Sequence, residues 1–194
     1  TGMMSEIELH ELVNILQQEC NCNYVLLKCT SNYPSSPSAS NLLTMAAMGQ
    51  EFGCTVGLSD HTRGVGVSLA AVGLGASVIE KHVTQNKRQQ GPDHKASATI
   101  GQFKILVKEI RNVEKALGKN KKVISNLEKE TLLVARKSIV SKREIESGRI
   151  IKEKDICYKR PGTGVLPIHK NNIIGKKATK VIPNNRIIKL TDVE

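Results

Sequence analysis

The 194-residue sequence predicts an α/β fold, part of a β/α repeat on a parallel sheet, followed by a small, mostly β domain. Three observations predict it. Over residues 1–118, short apolar runs alternate strictly with helical patterns, as strands and crossover helices do. Two of those runs end in matched polar triplets, Ser59-Asp60-His61 and Glu80-Lys81-His82, with a small-residue helix pattern between them. Beyond residue 119 the texture changes to short β-type runs punctuated by Gly and Pro.

In order along the chain, residues 1–4 read as a loop and Ser5 as a helix cap. Glu8 completes an S-x-x-E capping box, and Leu9, Leu12, Val13 and Leu16 form one apolar face. Residues 24–29 make a strand, and a Pro/Ser-rich loop fills 31–40. A helix over 41–50, a strand over 55–58, an Ala/Gly-rich helix over 66–74 and a strand over 76–79 follow. Thr99 and Gln102 form a second box; Phe103, Leu106, Val107, Ile110, Val113 and Leu117 share a face, and Gly118 stops the helix. Three parallel strands neither close a barrel nor cover both sheet edges, so further strands are expected upstream and residues 24–29 are expected at an unpaired edge. The start at Thr1-Gly2, without an initiator methionine, likewise predicts a piece of a longer protein. Residues 119–133 read as a linker with a short helical part, and 134–194 as the small domain. Its β-type runs are Ser138-Ile139-Val140, Ile150-Ile151, Ile156-Cys157-Tyr158 and Ile187-Ile188-Lys189. Gly148, Pro161-Gly162, Gly164, Gly175 and Pro183-Asn184-Asn185 separate them.

The net charge of +11 is unevenly placed. Residues 1–118 hold ten Lys/Arg against ten Asp/Glu, and residues 119–194 nineteen against eight. A basic appendage on a neutral body attracts anions or aids solubility. Its single aromatic residue, Tyr158, gives no stacking platform, and no helix-turn-helix or zinc-finger pattern occurs, so no nucleic-acid partner is expected. No apolar run approaches the roughly 20 residues of a membrane span, and no signal peptide is recognisable, so a cytoplasmic protein without a membrane partner is expected. The five cysteines form no CxxC pair and are expected to be reduced; Cys20 and Cys22 alone would offer a soft metal half a site.

The spacing of the triplets sets His61 and His82 at the carboxyl ends of neighbouring parallel strands, where barrel enzymes keep their catalytic groups. Two neutral imidazoles in one mouth are ligands for a divalent metal. Asp60 either orients an imidazole, as part of the catalytic apparatus, or caps the following helix. Glu80 is expected to be partly buried, acting as a base, holding substrate hydroxyls or pairing across the sheet. Asp93, in the Gly91-Pro92-Asp93-His94 turn, is placed to bind a sugar. Ser59, Ser31 and Tyr33 offer hydroxyls to a phosphate. Arg160, in Lys159-Arg160-Pro161-Gly162, is either a guanidinium over an anionic or amide-bearing ligand or a solvated charge.

These segments together resemble the sialic acid synthase family, which makes N-acetylneuraminate and related nonulosonates. The resemblance rests on Lys28-Cys29-Thr30-Ser31 with Tyr33-Pro34, on Gly57-Leu58-Ser59-Asp60-His61-Thr62, on Ile79-Glu80-Lys81-His82 and on Gly91-Pro92-Asp93-His94-Lys95-Ala96-Ser97. In the small domain it rests on Lys159-Arg160-Pro161-Gly162-Thr163-Gly164. It implies a (β/α)₈ TIM barrel, of which this chain carries the last three strands, joined to an antifreeze-like SAF domain. It further implies condensation of phosphoenolpyruvate with N-acetylmannosamine or a related N-acyl amino sugar, with release of phosphate. The implied cofactor is a divalent cation, Mn²⁺ or alternatively Mg²⁺, on His61 and His82. Ser59 and Tyr33 then line the phosphoenolpyruvate site, Glu80 and Asp93 face the sugar, and Arg160 reaches the N-acyl group in the other subunit of a domain-swapped homodimer. Ser31 falls where some members carry Asn. The family's further phosphate-binding lysines and serines belong to the absent half, so the fragment is expected to be inactive alone. Two rivals are a non-catalytic remnant whose basic SAF domain is a binding module, and a metal-dependent hydrolase on the same barrel.

Overall fold

Ser5 and Glu8 start the first helix as a reciprocal pair, the Ser5 N–H donating to Glu8 Oε2 at 2.7 Å and the Glu8 N–H to Ser5 Oγ at 3.4 Å. The computed structural model describes residues 1–20 and 24–194, divided into two units, Thr1–Asn120 and Lys121–Glu194. The side chains of Cys20 and Cys22 lie outside the described residues.

In the first unit the order is α1 (Glu6–Cys20), β1 (Val25–Cys29), α2 (Leu43–Phe52), β2 (Thr55–Asp60), α3 (Gly66–Gly73) and β3 (Val78–Lys81). Then come β4 (Val83–Thr84), β5 (Ala98–Thr99) and α4 (Ile100–Leu117). The sheet order is β1-β2-β3, both pairs parallel, with Cys29 opposite Ser59 and Ser59 opposite Glu80. That register levels the carboxyl ends of the three strands. Val13, Leu26, Met45, Met48, Val56, Leu58 and Ala71 form the core, and α3 packs on α4. Helix α2 starts at Leu43 rather than at 41 because Asn41 takes a left-handed φ of 43°. Strand β2 runs on to Asp60, and β3 sits two residues later than expected, because their polar ends find partners across the ladder instead of leaving it. The Thr99–Gln102 box forms as expected and Gly118 caps the end of α4. Among the described residues no helix is long and apolar enough to cross a membrane.

Gly57, mid-β2, faces β3 at close range. A Cβ there would meet the Val78 carbonyl oxygen, Leu27 Cδ2 at 2.7 Å and Val78 Cβ at 2.9 Å. Gly57→Ala is therefore expected to cost about 1–3 kcal/mol by overpacking, read as a lowered urea midpoint; an unchanged midpoint contradicts this packing.

The second unit opens with α5 (Asn126–Ala135), boxed by Ser125 and Glu128. Strands β6 (Ser138–Ser141) and β7 (Ile156–Lys159) pair antiparallel. Ile150 and Ile187 join as single bridges rather than strands, and short 3₁₀ turns cover Glu153–Asp155, Pro167–Asn172 and Leu190–Asp192. The core is aliphatic: Ile139, Ile145, Ile151, Ile156, Ile173, Ala178, Ile182 and Ile188.

This unit is internally duplicated. Arg149-Ile150-Ile151-Lys152 recurs as Arg186-Ile187-Ile188-Lys189, and each copy leads to an aspartate, Asp155 or Asp192. Ile145 and Ile182, equivalent positions, exchange backbone hydrogen bonds at 2.9 and 2.8 Å, as residues on a local two-fold axis must. The Val140–Ile187 bridge mirrors Ile150–Lys177, and Ser141–Ile156 mirrors Ala178–Val193. Gly148 and Asn185, equivalent turn residues, both have positive φ, 78° and 60°. Asp155 accepts the Lys152 N–H and the Arg143 guanidinium; Asp192 accepts the Lys189 N–H and Lys180 Nζ.

Burial pushes the Asp155 carboxyl up, but the Lys152 N–H together with Arg143 and Arg149 outweighs it and holds the group below the usual carboxylate range. Asp192 behaves alike: burial raises it, and Lys180 and Lys189 bring it lower. Because folding depresses both, their stabilisation is present above about pH 4, the unfolded value, and is lost as pH falls through the folded values. Asp155→Asn is expected to cost about 1–3 kcal/mol at pH 7 and Asp192→Asn less, since its lysine partner is 66% exposed. Thermal melts at pH 7 and pH 3 check this: the penalty shrinks at pH 3, and a penalty that persists there contradicts the assignment.

Candidate active site

Side chains alternate across a strand, so the polar ends of β2 and β3 split between two faces. On one, Ser59 Oγ donates to Glu80 Oε1 at 2.6 Å. Ser59 is buried, but Glu80 is exposed. In this chain Glu80 thus differs from the expected partly buried residue: among the described residues no strand lies beyond β3, and Ser59 is the carboxylate's hydrogen-bond partner.

On the other face lie Asp60 and Lys81. Asp60 accepts from the Thr62 N–H at 2.8 Å, Thr62 Oγ1 at 2.7 Å, Ser68 Oγ and Lys81 Nζ at 2.9 Å. Lys81 also donates to the Thr62 carbonyl at 2.6 Å. Burial pushes the Asp60 carboxyl up, yet these donors from Ser68, Lys81 and Thr62 together hold it below the usual range. A catalytic Asp60 orienting an imidazole is therefore corrected. Strand alternation turns its carboxylate away from the mouth, onto the start of α3, where it ties the loop carrying His61 to the sheet.

One residue past each strand, the two imidazoles come together with ring centroids 5.2 Å apart, edge to face. Tyr33, from the loop after β1, stacks on His82 at 4.3 Å and meets His61 edge-on at 5.3 Å. Nδ1 of His61 lies 2.9 Å from the Thr30 carbonyl. A carbonyl only accepts, so Nδ1 carries the proton and Nε2 keeps a lone pair. Asp93 Oδ2 is 3.7 Å from His82 Nδ1. A backbone partner on the inner nitrogen is what a metal-ligating histidine uses to fix its ring, and His61 has one. Asp93 stands beyond hydrogen-bond length of His82, and the two clustered imidazoles are the side chains that would hold a divalent cation.

Ser97, which closes the Gly91–Ser97 run and has no role assigned from the sequence, links the cluster. Its hydroxyl donates to the Asp93 carbonyl at 2.8 Å and lies 3.0 Å from Tyr33 Oη, which leaves the tyrosine as donor. Ser31 is exposed and stands apart, with Cys29 Sγ at 4.0 Å. Arg160, in the second unit, donates from Nε to the Ala135 carbonyl at 2.8 Å. One further ligand set exists among the described residues: Glu6, His10 and Glu51, all exposed, with donor atoms within 4.8 Å of one another.

Residues 1–122 match the NeuB family and residues 136–194 the SAF domain. The chain is 40% identical over 191 residues to an N,N'-diacetyllegionaminic acid synthase of Campylobacter jejuni, covering 97% of this chain and 57% of that protein. With the Legionella pneumophila protein of the same name it shares 44% over 153 residues, 79% of this chain and 43% of that one. A solved spore coat polysaccharide biosynthesis protein E from Chromobacterium violaceum superposes with a TM-score of 0.75 over all of this chain and 59% of its own, at 19% identity, a likeness of fold. The three parallel strands are thus part of a (β/α)₈ barrel, and the chain spans about half the length of the curated relatives it matches. With its β/α unit matched throughout and a SAF domain behind it, the chain belongs to the NeuB family.

Proposed function

We propose that this chain supplies part of the active site of a cytoplasmic nonulosonate synthase, which condenses phosphoenolpyruvate with an N-acyl amino sugar and releases phosphate. The observation that carries the reading is the meeting of His61, His82, Tyr33 and Asp93 beside the Ser59–Glu80 pair, at the level carboxyl ends of adjacent strands. Two relatives named as N,N'-diacetyllegionaminic acid synthases, at 40% and 44% identity, support it and favour a diacetamido sugar over N-acetylmannosamine.

In the reaction, C3 of phosphoenolpyruvate bonds to the sugar's aldehyde carbon, water adds at C2, and phosphate leaves. A divalent cation, Mn²⁺ or Mg²⁺, on His61 and His82 would supply Lewis-acid polarisation of that aldehyde. Glu80, which accepts from Ser59, and Asp93 hold the sugar hydroxyls. Ser59, whose hydroxyl donates to Glu80 here, turns toward the phosphate, with Ser31 at the rim. Tyr33 keeps the His82 ring in place through its stack and its hydroxyl's bond to Ser97. Arg160 serves the N-acyl group across a homodimer.

The 194-residue chain alone is expected to release no phosphate above a no-sugar control. The protein extended to the length of its relatives is expected to consume sugar and release phosphate one to one, with the diacetamido sugar used in preference. Turnover by the short chain, or phosphate release without sugar consumption by the long one, overturns the reading.

A further inference from the structure

The loops after β2 and β3 enclose a cavity of about 350 Å³ on the Asp60–Lys81 side. Its polar lining is Arg63, Lys81, Lys87, Ser97 and Gln102, its apolar lining includes Ile105 and Leu106 of α4, and no carboxylate contributes to it. Among the described residues, Arg63 and Lys87 take part in no ion pair or side-chain hydrogen bond. Lys81 is 5% exposed and spends two of its three ammonium N–H groups on Asp60 and the Thr62 carbonyl, which leaves one donor unassigned. The backbone N–H groups of Gly64, at φ +82°, and of Val65 likewise meet no acceptor among the described residues. Both α3 and α4 begin at the rim: Val65 caps the first, and Gln102 sits in the first turn of the second. Unpaired cations, free amides and two positive helix ends around one hollow are what an anion needs. The loops after the last two strands of (β/α)₈ barrels frequently bind phosphate.

We propose that this cavity is a second anion site, separate from the imidazole cluster, which takes the phosphate of a small phosphate monoester whose apolar part packs on Ile105 and Leu106. Arg63 and Lys87 pair with the dianion from the rim, Lys81 and the Gly64 and Val65 amides meet it from within, and the absence of a carboxylate removes competition. Nothing here depends on the condensation reaction. Ser97 lines the cavity and also bonds Tyr33, so an occupant reaches the hydrogen-bond chain behind His82.

The test titrates the intact chain with phenyl phosphate, inorganic phosphate and benzyl alcohol, following backbone amide shifts and calorimetry. Phenyl phosphate is expected to move the Gly64, Val65 and Ala98 amides and to bind about fivefold or more tighter than inorganic phosphate, with benzyl alcohol silent. Arg63→Gln with Lys87→Gln is expected to weaken binding about tenfold or more. Removing the same charge on the outside of α4, by Lys104→Gln with Lys108→Gln, is expected to change it less than about twofold. Thermal melts of both double variants confirm the fold. Equal losses in the two variants, equal affinity for the two phosphates, or shifts confined to Ser59 and His82 each overturn the proposal. The last of these would leave the synthase reading untouched.

Discussion

Asp60→Asn is expected to cost the Thr1–Asn120 unit about 3–5 kcal/mol at pH 7, the penalty for stranding a buried charge. Asp60 and Lys81 face each other with side chains 0% and 5% exposed. The carboxylate gathers donors from Thr62, Ser68 and Lys81, so one residue closes the β2 end, the β2–α3 turn, the start of α3 and the β3 end. Replacing its charged oxygen with an amide leaves the Lys81 ammonium buried and short of a counter-ion. Because folding holds the Asp60 carboxyl below its ordinary value, its stabilisation is present above about pH 4 and is lost as pH falls through the folded value. Asp60→Leu combined with Lys81→Met removes both charges and is expected to recover most of the loss. Urea unfolding at pH 7 measures all three proteins. A single variant within about 1 kcal/mol of the parent would show that the pair is better solvated than its burial implies.

That same pair marks where the sequence could be read and where it could not. Helix α4 was legible in full, because its cap box, its apolar face and its terminal glycine are all local signals. The strands were legible as apolar runs, but their ends were not. Ser59, Asp60, Glu80 and Lys81 look like loop residues until each is given a partner on the neighbouring strand. Applying alternation to the two triplets separates Ser59 and Glu80 from Asp60 and Lys81, which is the distinction that removes Asp60 from the mouth. The meeting of His61 and His82 was legible because each follows its strand at the same step, and parallel register then sets them side by side. Ser97 was not, since its role comes from a turn that brings it back to Tyr33 across 64 positions. The duplication in the second unit left in the sequence a four-residue repeat, an isoleucine before it (Ile145 and Ile182) and an aspartate after it. Its two-fold relation is carried by backbone bridges, which side-chain patterns do not report.

Mn²⁺ is expected to bind the chain through its two clustered imidazoles, and His61→Ala or His82→Ala to weaken that binding by roughly 100-fold or more. Losing even an outer partner of a ligand typically costs about 10–100-fold, so losing a ligand outright stands at or beyond the top of that range. The decline in free-ion electron paramagnetic resonance signal on titration gives the affinity directly. The competing site is the exposed set of Glu6, His10 and Glu51, which offers three donors where the mouth offers two. Its histidine is engaged, with Nε2 3.0 Å from Glu51 and the ring edge-on to Phe52 at 5.0 Å, and all three residues face solvent, so water competes for every carboxylate oxygen. His10→Ala is accordingly expected to leave the tight binding unchanged. Tyr33→Phe keeps the ring on His82 and loses only the bond to Ser97, so it is expected to lower affinity less than either histidine variant does. Should His10→Ala abolish the tight binding while His61→Ala and His82→Ala spare it, the cation sits on the helices α1 and α2, and the imidazoles at the strand ends hold no metal.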